Sequence, residues 1–416
     1  MKKARIISLG CAKNLVDTER LMYALKEQGY DFTPFEEEAD LILVNTCAFI
    51  APACEEAEEN IKSLEKFKKE GKELIVCGCY VERYKEKIKE KFPFVDKFLD
   101  LKSYENLGIK EDKRFRVTPK HWSYVKISEG CINFCSYCTI PYIRGPLRSR
   151  PIENIEKEIK ELVHDQVKEI ILIAQDTTRY GEDLYGKPSL LDLLKVIEGL
   201  KGDFFVRILY MYPTRLTQEL LSFIKSSDRI VPYFDIPLQH VNDKILKLMR
   251  RTYSKDDIIK LYLNIRETFP ESVIRTTFIV GFPGEEEEDF NELLYFIEKF
   301  TFERLGAFTY YPEEGTLAYN FDNKVPEEIK KQRLDLLMTK QQKISKKLNN
   351  NLLGKEFEVF IEGKIRNGYL ARSWREAPEV DPFIIIKDSN RKFNVGDKLK
   401  VKIEKAGIYD LWGKVI

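Results

Sequence analysis

Between residues 124 and 311 a short apolar, often β-branched run gives way to an amphipathic stretch six times in succession. The strand-like runs fall at 124–128, 169–174, 204–210, 231–236, 273–280 and 305–310, and stretches such as 152–165 and 286–300 carry helical spacing between them. Six strand–helix units in one continuous block predict an α/β core: parallel strands covered by helices, forming a partial (β/α)6 barrel or a full one. Chemistry in such a barrel sits where strands end and helices begin.

The flanks differ from this block. Residues 1–115 alternate strand-like runs at 5–9, 41–45 and 74–77 with amphipathic stretches at 17–28 and 55–70, which reads as a second parallel α/β domain. The charged stretch 110–116 reads as a linker. Pro326 with Glu327 and Glu328 opens a helix that runs to about residue 351, with Gly354 ending it. Short runs at 357–361, 368–372, 383–386, 399–403 and 411–415 then predict a small antiparallel barrel. The expected domains are 1–115, 116–352 and 353–416. Lys+Arg 69 against Asp+Glu 68 leaves a net charge of +1, so no overall field recruits nucleic acid. No apolar run approaches the ~18 residues that span a bilayer, and the first ten residues read as a strand. The expectation is a cytoplasmic protein, whose eight cysteines serve as metal ligands or buried thiols in preference to disulfides.

Cys131, Cys135 and Cys138 follow directly on the first barrel strand. A 4Fe–4S cluster normally takes four thiolates, so three leave one iron open, and an open metal position is where chemistry happens. The amino and carboxylate groups of S-adenosylmethionine (SAM) can chelate that iron, and the triplet resembles that of the radical SAM enzymes. A zinc knot would need a fourth Cys or His at short spacing, and none follows Cys138. Tyr137 supplies an aromatic ring able to pack beside adenine.

Cys11, Cys47 and Cys79 each lie just past an apolar run. In a parallel sheet these ends share one edge, so three thiols distant in sequence converge as a second cluster site. Gly10 and Gly78 remove bulk beside two of them. Cys77, inside its strand, reads as core, and Cys54, in the following helical stretch, as structural.

With both trios in view the chain resembles the methylthiotransferases nearly end to end. Ser8-Leu9-Gly10-Cys11-Ala12-Lys13-Asn14, Val44-Asn45-Thr46-Cys47 and Gly78-Cys79 look like that family's N-terminal cluster motifs. Ile127 through Cys131, Ile140-Pro141 and Arg144-Gly145 look like its radical core, and the last sixty or so residues like its TRAM barrel. Two branches of the family modify adenosine in tRNA, and a third modifies an aspartate of small-subunit ribosomal protein twelve. Asp176-Thr177, residues 235–240 and Ala377-Pro378-Glu379-Val380-Asp381 look like the third branch. Glu379 and Asp381 would repel a phosphate backbone and suit a basic protein.

The resemblance implies two 4Fe–4S clusters and two uses of SAM, as methyl donor and as radical source. The radical takes hydrogen from the aspartate β-carbon, whose C–H bond no side-chain base could exploit. No catalytic side chain is therefore expected. The partners implied are the ribosomal protein as substrate, with tRNA as the rival, and an electron donor such as a flavodoxin or ferredoxin, with no membrane. A rival of another class is a non-catalytic nucleic-acid-binding protein with structural metal centres. Beside Tyr137, the cofactor-binding candidates are Gln175, at the SAM amino group with Asp176, and Gly281 in the turn 279–285. Thr277 stands where the family often has glycine, and the turn is equally readable as a plain strand–helix connection. Arg207 and Arg275 complete the set, each to neutralise a carboxylate or to form a salt bridge within the barrel. His240 is expected to face the substrate.

Overall fold

A computed structural model describes residues 2–101, 103, 109, 113–387 and 391–416. The first sheet contains β1 (Lys3–Ser8), β2 (Asp31–Phe32), β3 (Leu41–Thr46), β4 (Glu73–Gly78) and β5 (Lys97–Leu99), all parallel in the order β2-β1-β3-β4-β5. β3 is buried along its whole length, as its unbroken apolar run requires of a central strand. Ser8 pairs with Asn45, Asn45 with Cys77, and Thr46 with Gly78, so the three cysteine-bearing ends lie level at one edge.

The second sheet follows the order β13-β12-β11-β10-β9-β6, again parallel. Its strands are β6 (Trp122–Lys126), β9 (Glu169–Ile173), β10 (Phe205–Ile208), β11 (Ile230–Asp235), β12 (Val273–Val280) and β13 (Arg304–Thr309). The two-strand ribbon β7 (Ser128–Glu129) with β8 (Arg148–Ser149) brackets the cysteine loop. The barrel is thus partial, and other parts of the chain cover its inner face. Val16 from the helix Ala12–Glu27 and Ala377 from the C-terminal region pack with Trp122, Tyr124, Ile171, Leu209 and Tyr233.

β14 (Glu356–Ile365), β15 (Gly368–Arg372), β16 (Ile384–Ile386), β17 (Lys398–Ala406) and β18 (Leu411–Val415) close into a five-stranded barrel, after the helix Glu327–Asn350. One pair departs from the antiparallel expectation: β16 and β18 run parallel, because closure sets the last strand beside one of the same direction. The linker expected at 110–116 is also corrected where it is described (110–112 lie outside the described residues). Arg114 is buried between Glu19 at 3.0 Å and Glu158 at 2.9 Å, so this segment is packed.

Buried ion pairs fasten the terminal barrel to the second sheet. Arg372 bonds Glu169 at 2.9 Å and Glu362 at 2.7 Å, and Arg207 bonds the same Glu169 at 2.6 Å. Asp381 is buried and accepts from the Tyr233 hydroxyl at 2.6 Å, while Glu379 accepts from Tyr124 at 2.8 Å. This corrects the reading of Asp381 as part of a face for a basic partner, since it is engaged in holding the domains together, whereas Glu379 stays exposed.

Candidate metal and cofactor site

The loops after β1, β3 and β4 are laced together by amides. Asn14 donates to the carbonyls of Leu9 at 2.6 Å and Thr46 at 3.1 Å, and Asn45 donates to the carbonyl of Asn14 at 2.9 Å. Cys11, Cys47 and Cys79 are thereby drawn to one place. A Cβ on Gly10, whose φ is +93°, would stand 2.7 Å from Cys47 Cβ and 3.0 Å from its sulfur, so only glycine lets these two loops close. Burial, with Cys79 and Cys11 adding to it, pushes the Cys47 thiol up to about 12. Thiols crowded in this way surrender their protons to a multivalent cation, which is the donor chemistry of a cluster site. Cys77 and Cys54 stay apart: Cys77 is fully buried in β4, and Cys54 accepts from Arg83 and Tyr84.

Cys131, Cys135 and Cys138 occupy a loop fixed from both sides. The Cys131 amide bonds the Gly145 carbonyl at 3.1 Å, and Gly130 packs so tightly that a Cβ would meet Pro146 O at 2.0 Å. Ser136 donates to the carbonyls of Leu248 at 2.7 Å and Met249 at 3.1 Å. Burial and then Cys135 raise the Cys138 thiol well above its ordinary value. Among the described residues no three Cys, His, Asp or Glu side chains close around one point as the ligands of a single ion would.

Two contacts join the trios. Thr139, next to Cys138, donates to the Phe49 carbonyl, two residues past Cys47, at 3.1 Å. Arg144 is buried and donates to Cys79 Sγ from Nε at 3.2 Å and from Nη2 at 3.1 Å. The same guanidinium reaches Asp17 at 2.7 Å, Glu129 at 3.1 Å and Asn14 at 2.8 Å. Arg144 and Lys126 hold the desolvated Glu129 carboxyl well below the usual carboxylate range. Glu129 in turn accepts from Gln175 Nε2 at 2.6 Å, leaving Gln175 Oε1 buried with no partner. An unpaired buried acceptor at the strand end next to the cysteine loop fits an ammonium donor such as the SAM amino group.

A cavity of about 260 Å³ opens between the two loops, lined by Phe49, Ile50, Tyr137, Gln239, Thr277 and Ile279. Tyr137 presents its ring there, edge-on to Phe282 at 6.4 Å. The remaining candidates are placed differently. Arg207 is corrected: with 0% exposure and bonds to Glu169 and the Glu376 carbonyl, it is sealed in the domain interface and reaches no ligand. Arg275 pairs with Asp235 at 2.9 Å but keeps 22% of its side chain exposed. Gly281 gives its amide to the Glu285 carboxylate at 2.9 Å, the mark of a strand–helix turn. His240 is also corrected, being wholly buried with Nδ1 accepting from the Asn242 amide at 3.0 Å.

Three residues were missed. Arg144 could have been suspected from its place six residues beyond Cys138, but not its reach across to Cys79. Lys13 carries its ammonium 3.5 Å over the Tyr210 ring, beside Cys11, with no ion pair among the described residues. Glu313 latches the first domain to the second through the Ala51 amide at 2.7 Å and Arg83 at 2.8 Å. Lys13 sits within the motif at residues 8–14 without standing out there, and Glu313 has no sequence signal of its own.

Three family models match the chain: the uncharacterized protein family UPF0004 over residues 3–100, the radical SAM superfamily over 125–297 and the TRAM domain over 353–416. The chain is 56% identical to the ribosomal protein uS12 methylthiotransferase RimO of Dictyoglomus thermophilum, covering 100% of both chains. It is 46% identical to that of Aquifex aeolicus, covering 99% of this chain and 97% of the relative. Among solved structures, the radical SAM methyltransferase TsrM of Kitasatospora setae superposes with a TM-score of 0.55 at 13% identity, covering 76% of this chain and 77% of that one, a likeness of fold. Among the described residues no helix is long and apolar enough to cross a membrane.

Proposed function

Because the chain belongs to the ribosomal protein uS12 methylthiotransferase family, we propose that it adds a methylthio group to the β-carbon of an aspartate in that ribosomal protein. It uses SAM and two 4Fe–4S clusters. The observation that carries this reading is the meeting of two thiol trios across Arg144 and the Thr139–Phe49 contact.

In this reading Cys11, Cys47 and Cys79 hold one cluster and Cys131, Cys135 and Cys138 the other. When bound, the clusters supply the electron that cleaves SAM and the site from which sulfur is delivered, chemistry beyond any side chain. The chain's own residues orient and screen. Tyr137 offers a flat face in the cavity between the loops, and Gln175 Oε1 accepts from a donor that Glu129 helps to fix in place. Lys13 has the charge and the position to take the carboxylate of the target aspartate, so Lys13→Met should raise KM for the protein substrate about tenfold or more, as loss of a charge-assisted bond does. An unchanged KM would remove Lys13 from this role. The domains are taken as 1–115, 116–352 and 353–416, and the reductant as a flavodoxin or ferredoxin. Mass spectrometry of uS12 and of tRNA from cells with and without the gene tests the substrate. The modified aspartate should vanish while tRNA stays unchanged, and the reverse pattern would overturn the assignment.

A further inference from the structure

In each trio one thiol accepts from an arginine, and the two arginines have different surroundings. Arg144, on Cys79, has its charge met by Asp17 at 2.7 Å and Glu129 at 3.1 Å. Arg251, on Cys135, has no such balance. Its Nη1 donates to Cys135 Sγ at 3.4 Å, Nη2 to the Pro237 carbonyl at 2.9 Å and Nε to the Tyr253 hydroxyl at 2.6 Å. Two of these acceptors are neutral oxygens, and among the described residues no carboxylate comes within ion-pair distance of the guanidinium. Asp243 and Asp257 line the same groove and keep their charge, but act on it only at longer range. The side chain is also fixed in place. Its guanidinium carbon lies 4.3 Å from the Tyr212 ring centre and 5.0 Å from that of Tyr253, whose hydroxyl is tied to the Leu238 carbonyl at 2.7 Å.

Holding a cluster on Cys131, Cys135 and Cys138 does not by itself require a cation at one of the sulfurs. Reduction of a thiolate-bound 4Fe–4S cluster takes one electron from the reductant and moves no proton, so the reduced state carries one more negative charge. A half-buried cation that donates to a ligand sulfur favours that state, and such bonds are among the influences that set cluster potentials. We propose that Arg251 is a positioning residue that acts through Cys135: it raises the reduction potential of the cluster held by the loop trio. The proposal rests on the cluster assignment above.

The test is a redox titration of the reconstituted holoenzyme with dithionite, followed by electron paramagnetic resonance. The loop cluster's signal is identified as the one that survives in Cys47→Ala. Arg251→Gln should make its reduction roughly tenfold less favourable or more, a downward shift of about 59 mV for one electron, with the other cluster's potential in place. Arg251→Lys, which restores the charge, should recover most of that shift. The proposal is overturned if the glutamine variant titrates like the wild type, or if the lysine variant is no better than the glutamine one. Weaker SAM binding at an unmoved potential also overturns it, and makes Arg251 a SAM ligand instead. Should Arg251→Gln lose iron from the loop trio, Arg251→Met is read in the same way. Loss of that iron from both neutral variants would assign Arg251 to holding the loop and would end the proposal. Failure of the cluster assignment itself is distinct: Cys47→Ala would then show no cluster signal, whatever residue stands at 251.

Discussion

Cys131, Cys135 and Cys138 sit on a single loop braced by its neighbours, whereas Cys11, Cys47 and Cys79 come from three separate strands and meet only because a sheet sets their ends level. The first trio is local, so its geometry survives modest changes elsewhere. The second depends on register, on Asn14 and Asn45, and on an arginine from the other domain. A site assembled from distant pieces is held by the fold and by whatever bonds cross between the pieces.

Cysteine replacement is the largest lever on this contrast. Alanine at Cys131, Cys135 or Cys138 should abolish SAM cleavage and methylthio transfer together, by a factor of roughly a thousand or more, with about half the iron lost. Alanine at Cys11, Cys47 or Cys79 should abolish transfer alone and leave deoxyadenosine production intact. Product analysis with iron counting separates the two patterns, and identical behaviour in both trios would erase the distinction drawn here.

Arg144→Met comes next. It takes one of two cations from Asp17 and Glu129, which keep Lys126, so the cost should stay below the roughly 3–5 kcal/mol of a fully broken buried pair, read as a lowered melting temperature. Iron at the distributed trio should fall first, since that trio loses the donor to Cys79. Gly10→Ala is gentler, at roughly 1–3 kcal/mol for a strained φ with a close contact. Its signature should be iron lost from the distributed trio while the loop trio remains loaded, as seen by the spectra of variants bearing one trio each.

The smallest effect is acid sensitivity of the joints between domains. Burial raises the Glu158 carboxyl, but Arg114 and Arg150 outweigh it, and for Glu362 a bond to His121 together with Arg372 does the same. Both folded-state values lie below the unfolded value of about 4.3. The stability they contribute is complete above that pH and drains as pH falls through the lowered values. Melting temperature should be flat above about pH 5 and decline below about pH 4, with Glu362→Gln reducing the decline.

Strand positions were legible within a few residues because short β-branched runs between helices leave little choice of architecture. β12 begins and ends where the pattern of residues 273–280 puts it. The loop trio was legible from spacing alone. Other features were not. Arg207 reads as a cation able to take a carboxylate and His240 as a strand-end residue facing the substrate, yet both face inward, because a side chain's direction is set by the pleat and by what packs over it. Asp381 reads as surface charge until the C-terminal barrel is docked and Tyr233 claims it.

What the sequence determined by itself was local: the periodicity of strands and helices, the cysteine loop, and the glycines where backbone must pass close to sulfur. What the tertiary structure decided was pairing across the domains. Arg144 reaches Cys79 and Thr139 reaches Phe49. The physical reason is that backbone preference acts between near neighbours in the chain. Burying a charge, by contrast, demands a partner wherever in the sequence one is found.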